Sequence, residues 1–164
     1  MEYLRIGKIV NTHGIKGEIR ILSNFKYKSK VFIKHFKVYI GQDKQEETIA
    51  SYRPHKQFDM ITLEGITNIN DVLKYKGKPI YINKLDLKLN NNEYLDEDLI
   101  GLKVIMNKKN YGTITKIEKD KYQDKIVVNN EGIIYLVPYV CDIIKTINLE
   151  EGTMTLEYIK GLLD

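Results

Sequence analysis

The segment from Gly7 to Ile21, GKIVNTHGIKGEIRI, gathers the side chains most able to do chemistry: an imidazole at His13, a carboxylate at Glu18, and cations at Lys16 and Arg20, set between Gly14 and Gly17. A histidine beside a carboxylate is the minimum for general acid–base catalysis. The same histidine beside a lysine and an arginine is a place for a phosphate. The second reading is preferred, because the rest of the chain offers a catalyst little help. There is no G-x-x-x-x-G-K-[ST] phosphate loop, no G-x-G-x-x-G after a strand and no G-x-S-x-G elbow. His13, His35 and His55 lack H-x-x-x-H spacing and Cys141 is the single cysteine, so no metal site is expected. A second polar corner, Tyr52, Arg53, His55 and Lys56, falls near the end of a later hairpin and is expected beside the first.

The elements that must position these residues are short strands. Period-2 alternation predicts strands over Leu4 to Asn11 and Ile15 to Leu22, with Ile15, Ile19 and Ile21 on the buried face and Lys16, Glu18 and Arg20 opposite. Further strands are predicted at Lys37 to Ile40, Glu47 to His55, Phe58 to Leu63 and from Pro79, with Gly-, Asn- and Asp-rich turns between them. The stretch SNFKYKSKVFIKHFK mixes lysines with aromatic rings; it is expected to be a loop whose Phe32 and Phe36 are buried and whose charge suits RNA. TNINDVLKYKG predicts one short helix capped by Asn68 or Asn70, with Ile69, Val72 and Leu73 inward and Gly77 as its stop. After an asparagine-rich, acidic stretch, strands are predicted at Lys103 to Met106, Gly112 to Glu118, Lys125 to Val128, Ile133 to Val137, Lys145 to Asn148 and Thr153 to Glu157. Pro138 should end its strand, a helical turn should follow, and Cys141 in PYVCDII should be buried.

Many short strands and few helices predict a mainly all-β protein built as two small β-barrels, over residues 1–88 and 98–164, joined by a linker at 89–97. Charge divides in the same place. Residues 1–90 carry 17 Lys or Arg against 9 Asp or Glu, and residues 91–164 carry 9 against 13. A basic half suits a polyanion and an acidic half suits a neutral or basic partner. No apolar run approaches the ~18 residues of a membrane helix, and the start lacks a signal-peptide pattern, so a cytoplasmic protein with no membrane contact is expected.

The opening signature resembles that of the ribosome maturation factor RimM family. DLIGLKV from Asp98, GTITKI from Gly112, LVPYVCDIIKTINLEEGTMTLEY from Leu136 and the terminal GLLD resemble the same family in the same order, over essentially the whole chain. The resemblance implies a PRC-barrel as the second module. It also implies a monomeric, cofactor-free factor, not an enzyme, that binds the free small ribosomal subunit and assists head assembly and 16S rRNA processing. His13, Gly14, Lys16, Gly17 and Arg20, with the Arg53, His55 and Lys56 corner that resembles one recurring in the family, are expected to face RNA or the ribosome. Tyr94, Leu95, Pro138 and Tyr139 face small-subunit ribosomal protein nineteen. The family has two neighbouring tyrosines before the DLIG run, whereas this chain has Tyr94 followed by Leu95. Against this stand an RNA-modifying enzyme, which would need a cofactor loop or nucleophile, and a plain PRC-type interaction module, which would explain the second half alone.

Overall fold

β-Branched residues at every second position favour pleated, half-buried strands, and in the first half they close on themselves. The computed structural model describes residues 1–163 and divides into two compact units, Met1–Lys88 and the chain from Leu89 onward. The first unit contains β1 (Tyr3–His13), β2 (Glu18–Leu22), the one-turn helix α1 (Lys28–Val31), β3 (Lys37–Ile40), β4 (Gln45–His55), β5 (Phe58–Leu63) and β6 (Pro79–Asn83). The strands form a closed barrel in the order β1-β2-β5-β4-β3-β6. Its seam is β1 against β6, first strand to last, antiparallel. Two register shifts in β1, one between Arg5 and Gly7 and one between Ile9 and Asn11, bend this long strand around both neighbours.

The barrel is filled by Ile9, Ile19, Ile21, Val38, Ile49, Ile61, Ile80 and Ile82, all fully buried. Each such side chain contributes ~1.5–3 kcal/mol of transfer free energy. Ile15 departs from its expected place. The turn of the first hairpin lies at residues 14–17, β2 begins only at Glu18, and Ile15 is 81% exposed. Alternation predicts a face only while the chain is extended, and Gly14 and Gly17, both at positive φ, end the extension on either side of it. Phe32 is buried as expected, but Phe36 is half-buried and α1 replaces the expected loop. The predicted helix after β5 is two successive 3₁₀ turns, Ile69–Asp71 and Leu73–Tyr75. Asn68 caps the first by accepting from the Asn70 N–H, Leu73 is exposed, and Tyr75 takes the core position instead.

The second unit contains α2 (Asp96–Leu99), β7 (Lys103–Met106), β8 (Lys109–Glu118), β9 (Lys125–Asn130), β10 (Ile133–Pro138), β11 (Ile144–Asn148) and β12 (Thr153–Leu156). They make a six-stranded sheet in the order β10-β9-β8-β7-β12-β11. Again the first strand meets a late one, here in parallel: β12 pairs with β7 from Thr153↔Lys103 to Leu156↔Met106. Leu99, Val104, Met106, Ile114, Ile126, Val128, Val137 and Met154 form its core. Pro138 is the last residue of β10, where no further N–H is needed for the ladder. Cys141 is exposed, contrary to expectation. It sits in the tight turn that follows, where the Ile143 N–H donates to the Val140 carbonyl and the backbone turns the thiol away from the core. Among the described residues no helix is long and apolar enough to cross a membrane.

Candidate nucleic-acid interface

The two polar corners meet because β2 and β4 flank β5. Arg20 shares its register with Met60 on one side, and Arg53 shares it on the other. All three point outward from the barrel, and Met60 is nevertheless fully buried. Arg53 crosses β5 to grip Glu18 with two hydrogen bonds, Nε to Oε2 at 2.8 Å and Nη2 to Oε1 at 2.7 Å. Arg20 lays its guanidinium 5.1 Å above the Phe58 ring and donates through Nη2 to His13 Nδ1 at 2.9 Å. The His13 and His55 rings are 5.9 Å apart.

This geometry bears on the acid–base pairing of the first hairpin. Both oxygens of Glu18 are taken by Arg53, which holds its carboxyl below the usual carboxylate range. The Nδ1 of His13 accepts from Arg20, not from or toward a carboxylate. The residues for a proton-relay pair are therefore adjacent but partnered elsewhere. What remains is a field. Arg53 is neutralised by Glu18, whereas among the described residues Arg20, Lys16 and Lys56 have no ion-pair partner. Lys16 is exposed in the first turn and Lys56, at positive φ, in the turn between β4 and β5. Burial and then the nearby cations Arg53 and Lys56, with His13 and Arg20, push His55 below its ordinary value. Gly17 is needed for a further reason: a Cβ there would lie 3.1 Å from the Asn68 carbonyl oxygen, where the first 3₁₀ turn supports the hairpin.

Sequence reasoning missed one support of this face and one buried pair on the opposite side of β5, where Asp59 shares its register with the core residue Ile21. Phe58, the shelf for Arg20, looks like an ordinary strand aromatic. Asp59 is 3% exposed and accepts from Lys28 Nζ at 2.9 Å and from the Tyr52 hydroxyl at 2.7 Å, while Tyr52 stacks on Phe32. Burial and the bond to Asp59 push the Tyr52 hydroxyl up to about 12. The signal was present in FDMITL, where a lone carboxylate sits in an otherwise apolar strand and so requires a partner.

In the second unit the other candidates come together around Lys119. Tyr94 is half-buried, packs against the core and donates its hydroxyl to the Asn91 carbonyl at 3.0 Å. Leu95 is buried, and Asp96 beside it pairs with Lys119, which also reaches Asp124 at 3.2 Å. The Tyr139 N–H donates to the Asp124 carbonyl at 2.9 Å, directly after Pro138. Burial, then the charge of Asp96, raises the Tyr139 hydroxyl above its ordinary value.

Family models match both units: the RimM N-terminal domain over residues 4–87 and the RimM PRC barrel domain over residues 96–162. The chain is 39% identical over 166 residues to a ribosome maturation factor RimM of Staphylococcus haemolyticus, covering 98% of this chain and 99% of that one. It is 38% identical over 167 residues to one of Ligilactobacillus salivarius, covering 99% of each. A crystal structure of a 16S ribosomal RNA processing protein RimM from Pseudomonas aeruginosa is 23% identical, with a TM-score of 0.44 and coverage of 96% of this chain and 98% of that one.

Proposed function

The chain belongs to the RimM family of ribosome maturation factors, and from that premise we propose that it acts by binding alone, as a cytoplasmic monomer that engages the free small ribosomal subunit. The barrel corner of Lys16, Arg20, Lys56 and the two histidines meets 16S precursor RNA. The second unit holds small-subunit ribosomal protein nineteen through Tyr94, Leu95, Pro138 and Tyr139. Between them the factor assists assembly of the subunit head and 16S rRNA processing, and makes or breaks no bond itself. A protein that binds one RNA conformer better than another shifts the population by its differential affinity.

The observation that carries this reading is the Arg20 guanidinium, which lies over the Phe58 ring and donates to His13 but has no ion-pair partner among the described residues, while its neighbour Arg53 is neutralised. An arginine held in this way has less side-chain freedom left to lose when its positive charge meets a phosphate. In the second unit, the half-buried Tyr94 is of the residue type enriched in interface anchors, and the acidic balance there suits a basic ribosomal protein by steering its approach.

The test is sedimentation of the protein with free small subunits over a series of salt concentrations. The double variant Lys16→Ala, Arg20→Ala should flatten the log–log salt dependence by roughly 0.7–0.9 per lost phosphate contact. Tyr94→Ala should weaken co-sedimentation at every salt concentration. Unchanged binding by both variants would overturn the assignment.

A further inference from the structure

The first hairpin has a second end, away from the His13 corner, and there β1 and the chain leaving β2 enclose an open cleft of about 520 Å³. Its walls are Arg5, Lys8, Leu22, Ser23, Asn24 and Phe25. The volume lies in the ~300–1,000 Å³ range of small-ligand sites.

Three features show how the cleft is built. Strict alternation would send Arg5 and Lys8 to opposite faces of β1, since they are an odd number of positions apart. The bulge between Arg5 and Gly7 shifts the phase, and both cations are exposed on the same rim. Gly7 lets the strands approach closely, because a Cβ there would lie 2.8 Å from the Leu22 carbonyl oxygen and 3.1 Å from Ser23 Cβ. Ser23 pins the far wall, its hydroxyl donating to the Ile6 carbonyl at 2.5 Å and accepting from the Phe25 N–H at 3.1 Å. The wall that carries Asn24 and Phe25 is thereby fixed to the strand that carries Arg5 and Lys8.

The cleft's chemistry is unspent. Among the described residues neither Arg5 nor Lys8 has an ion-pair partner, and the side-chain amide of exposed Asn24 has no hydrogen bond. Leu22, about half exposed, and the half-buried Phe25 ring supply an apolar surface between cation and amide. Paired cations, a ring and an amide within one small cleft match a nucleotide: phosphate to the cations, base against the ring, base edge to the amide's donor and acceptor. Bases stacked inside a duplex are not available to such a pocket, whereas unpaired RNA bases are. We propose that this cleft takes one unpaired nucleotide of RNA, with Arg5 and Lys8 on its phosphates, Phe25 and Leu22 against its base and Asn24 on the base edge. The proposal rests on the RNA-binding reading above but not on the same residues. Lys8 lies five strand positions from His13, ~16 Å along β1, so losses at cleft and corner are separable.

The experiment titrates the full chain with three probes: a labelled short single-stranded oligouridylate, a labelled RNA duplex, and free uridine monophosphate. Phe25→Leu keeps the apolar volume and removes the ring; it should weaken oligouridylate binding about tenfold and leave duplex binding unchanged. Arg5→Gln with Lys8→Gln, both exposed and so without consequence for folding, should weaken oligouridylate binding and reduce its salt slope by ~0.7 per contact. Wild-type affinity for the oligouridylate in both cleft variants, with loss in Arg20→Gln, would overturn the cleft and leave the corner standing. No RNA binding by the wild-type chain would overturn both. Tight uridine monophosphate binding that Phe25→Leu abolishes, with no oligouridylate binding, would also overturn the proposal, since the occupant would then be a free nucleotide.

Discussion

At the scale of single residues the corner is an arrangement of charges in which one pair is closed and the rest is open. His55 reports on that field. Its affinity for a proton is lowered first by burial and then by Arg53, Lys56, His13 and Arg20, with the carboxylate of Glu18 facing it from β2. The folded state therefore binds fewer protons at His55 than the unfolded chain, and stability contributed by the neutral ring is lost as pH falls below the ordinary histidine value of ~6.5. A phosphate beside His55 reverses the like-charge penalty, so RNA binding takes up a proton and tightens over the same interval. Acid should thus raise RNA affinity while lowering the thermal midpoint as pH falls from about 6.5. His55→Gln should flatten both curves, and two unaffected curves would remove His55 from the interface. Residue identities in this corner were legible because Gly-, His- and Arg-bearing turns are distinctive. The pairing was not. Nothing in one-dimensional spacing says that Arg53 takes Glu18 while Arg20 takes His13, since both choices put opposite or complementary groups within reach.

At the scale of elements, strands were legible wherever alternation ran uninterrupted. The expected Phe58 to Leu63 and Lys103 to Met106 strands appear with those limits. Expectation and structure part where extension stops: the strand expected from Ile15 begins three residues later, and Cys141, expected to be buried among apolar neighbours, sits exposed on a turn. The predicted helix after β5 became two 3₁₀ turns because its apolar residues do not repeat long enough to make a helical stripe. Strand contacts also fix which glycines cannot change. Gly112 in β8 has φ of +121°, and a Cβ there would lie 2.5 Å from the Asn129 carbonyl oxygen of β9. Gly14 has positive φ and nothing within 4 Å of the added atom. Denaturant unfolding should give a loss greater than ~2 kcal/mol for Gly112→Ala, which meets both strain and backbone, and about 1 kcal/mol for Gly14→Ala, which meets strain alone. Equal losses would mean that the β8–β9 contact relaxes more easily than its geometry implies.

At the scale of the whole molecule, the chain is two modules with different electrostatics, and the change of charge sign falls within a few residues of the change of module. Leu87 and Leu95 are buried, and Asn90, Asn91 and Asn92 between them are exposed. A broad-specificity protease should cut first within residues 88–94 and release two resistant fragments. A first cut inside either set of strands would show that one module opens more readily than the segment between them. In each module the earliest strand is also held by the latest: β1 by β6, which closes the barrel, and β7 by β12, which joins the two parts of the sheet. Synthesis delivers those partners last. Neither core can be completed hairpin by hairpin as the polypeptide emerges; the opening strand of each must wait, with one flank unpaired, until nearly its whole module has been translated. Folding in each half is thereby a single late event, and the nascent chain carries exposed strand edges in the interval before it.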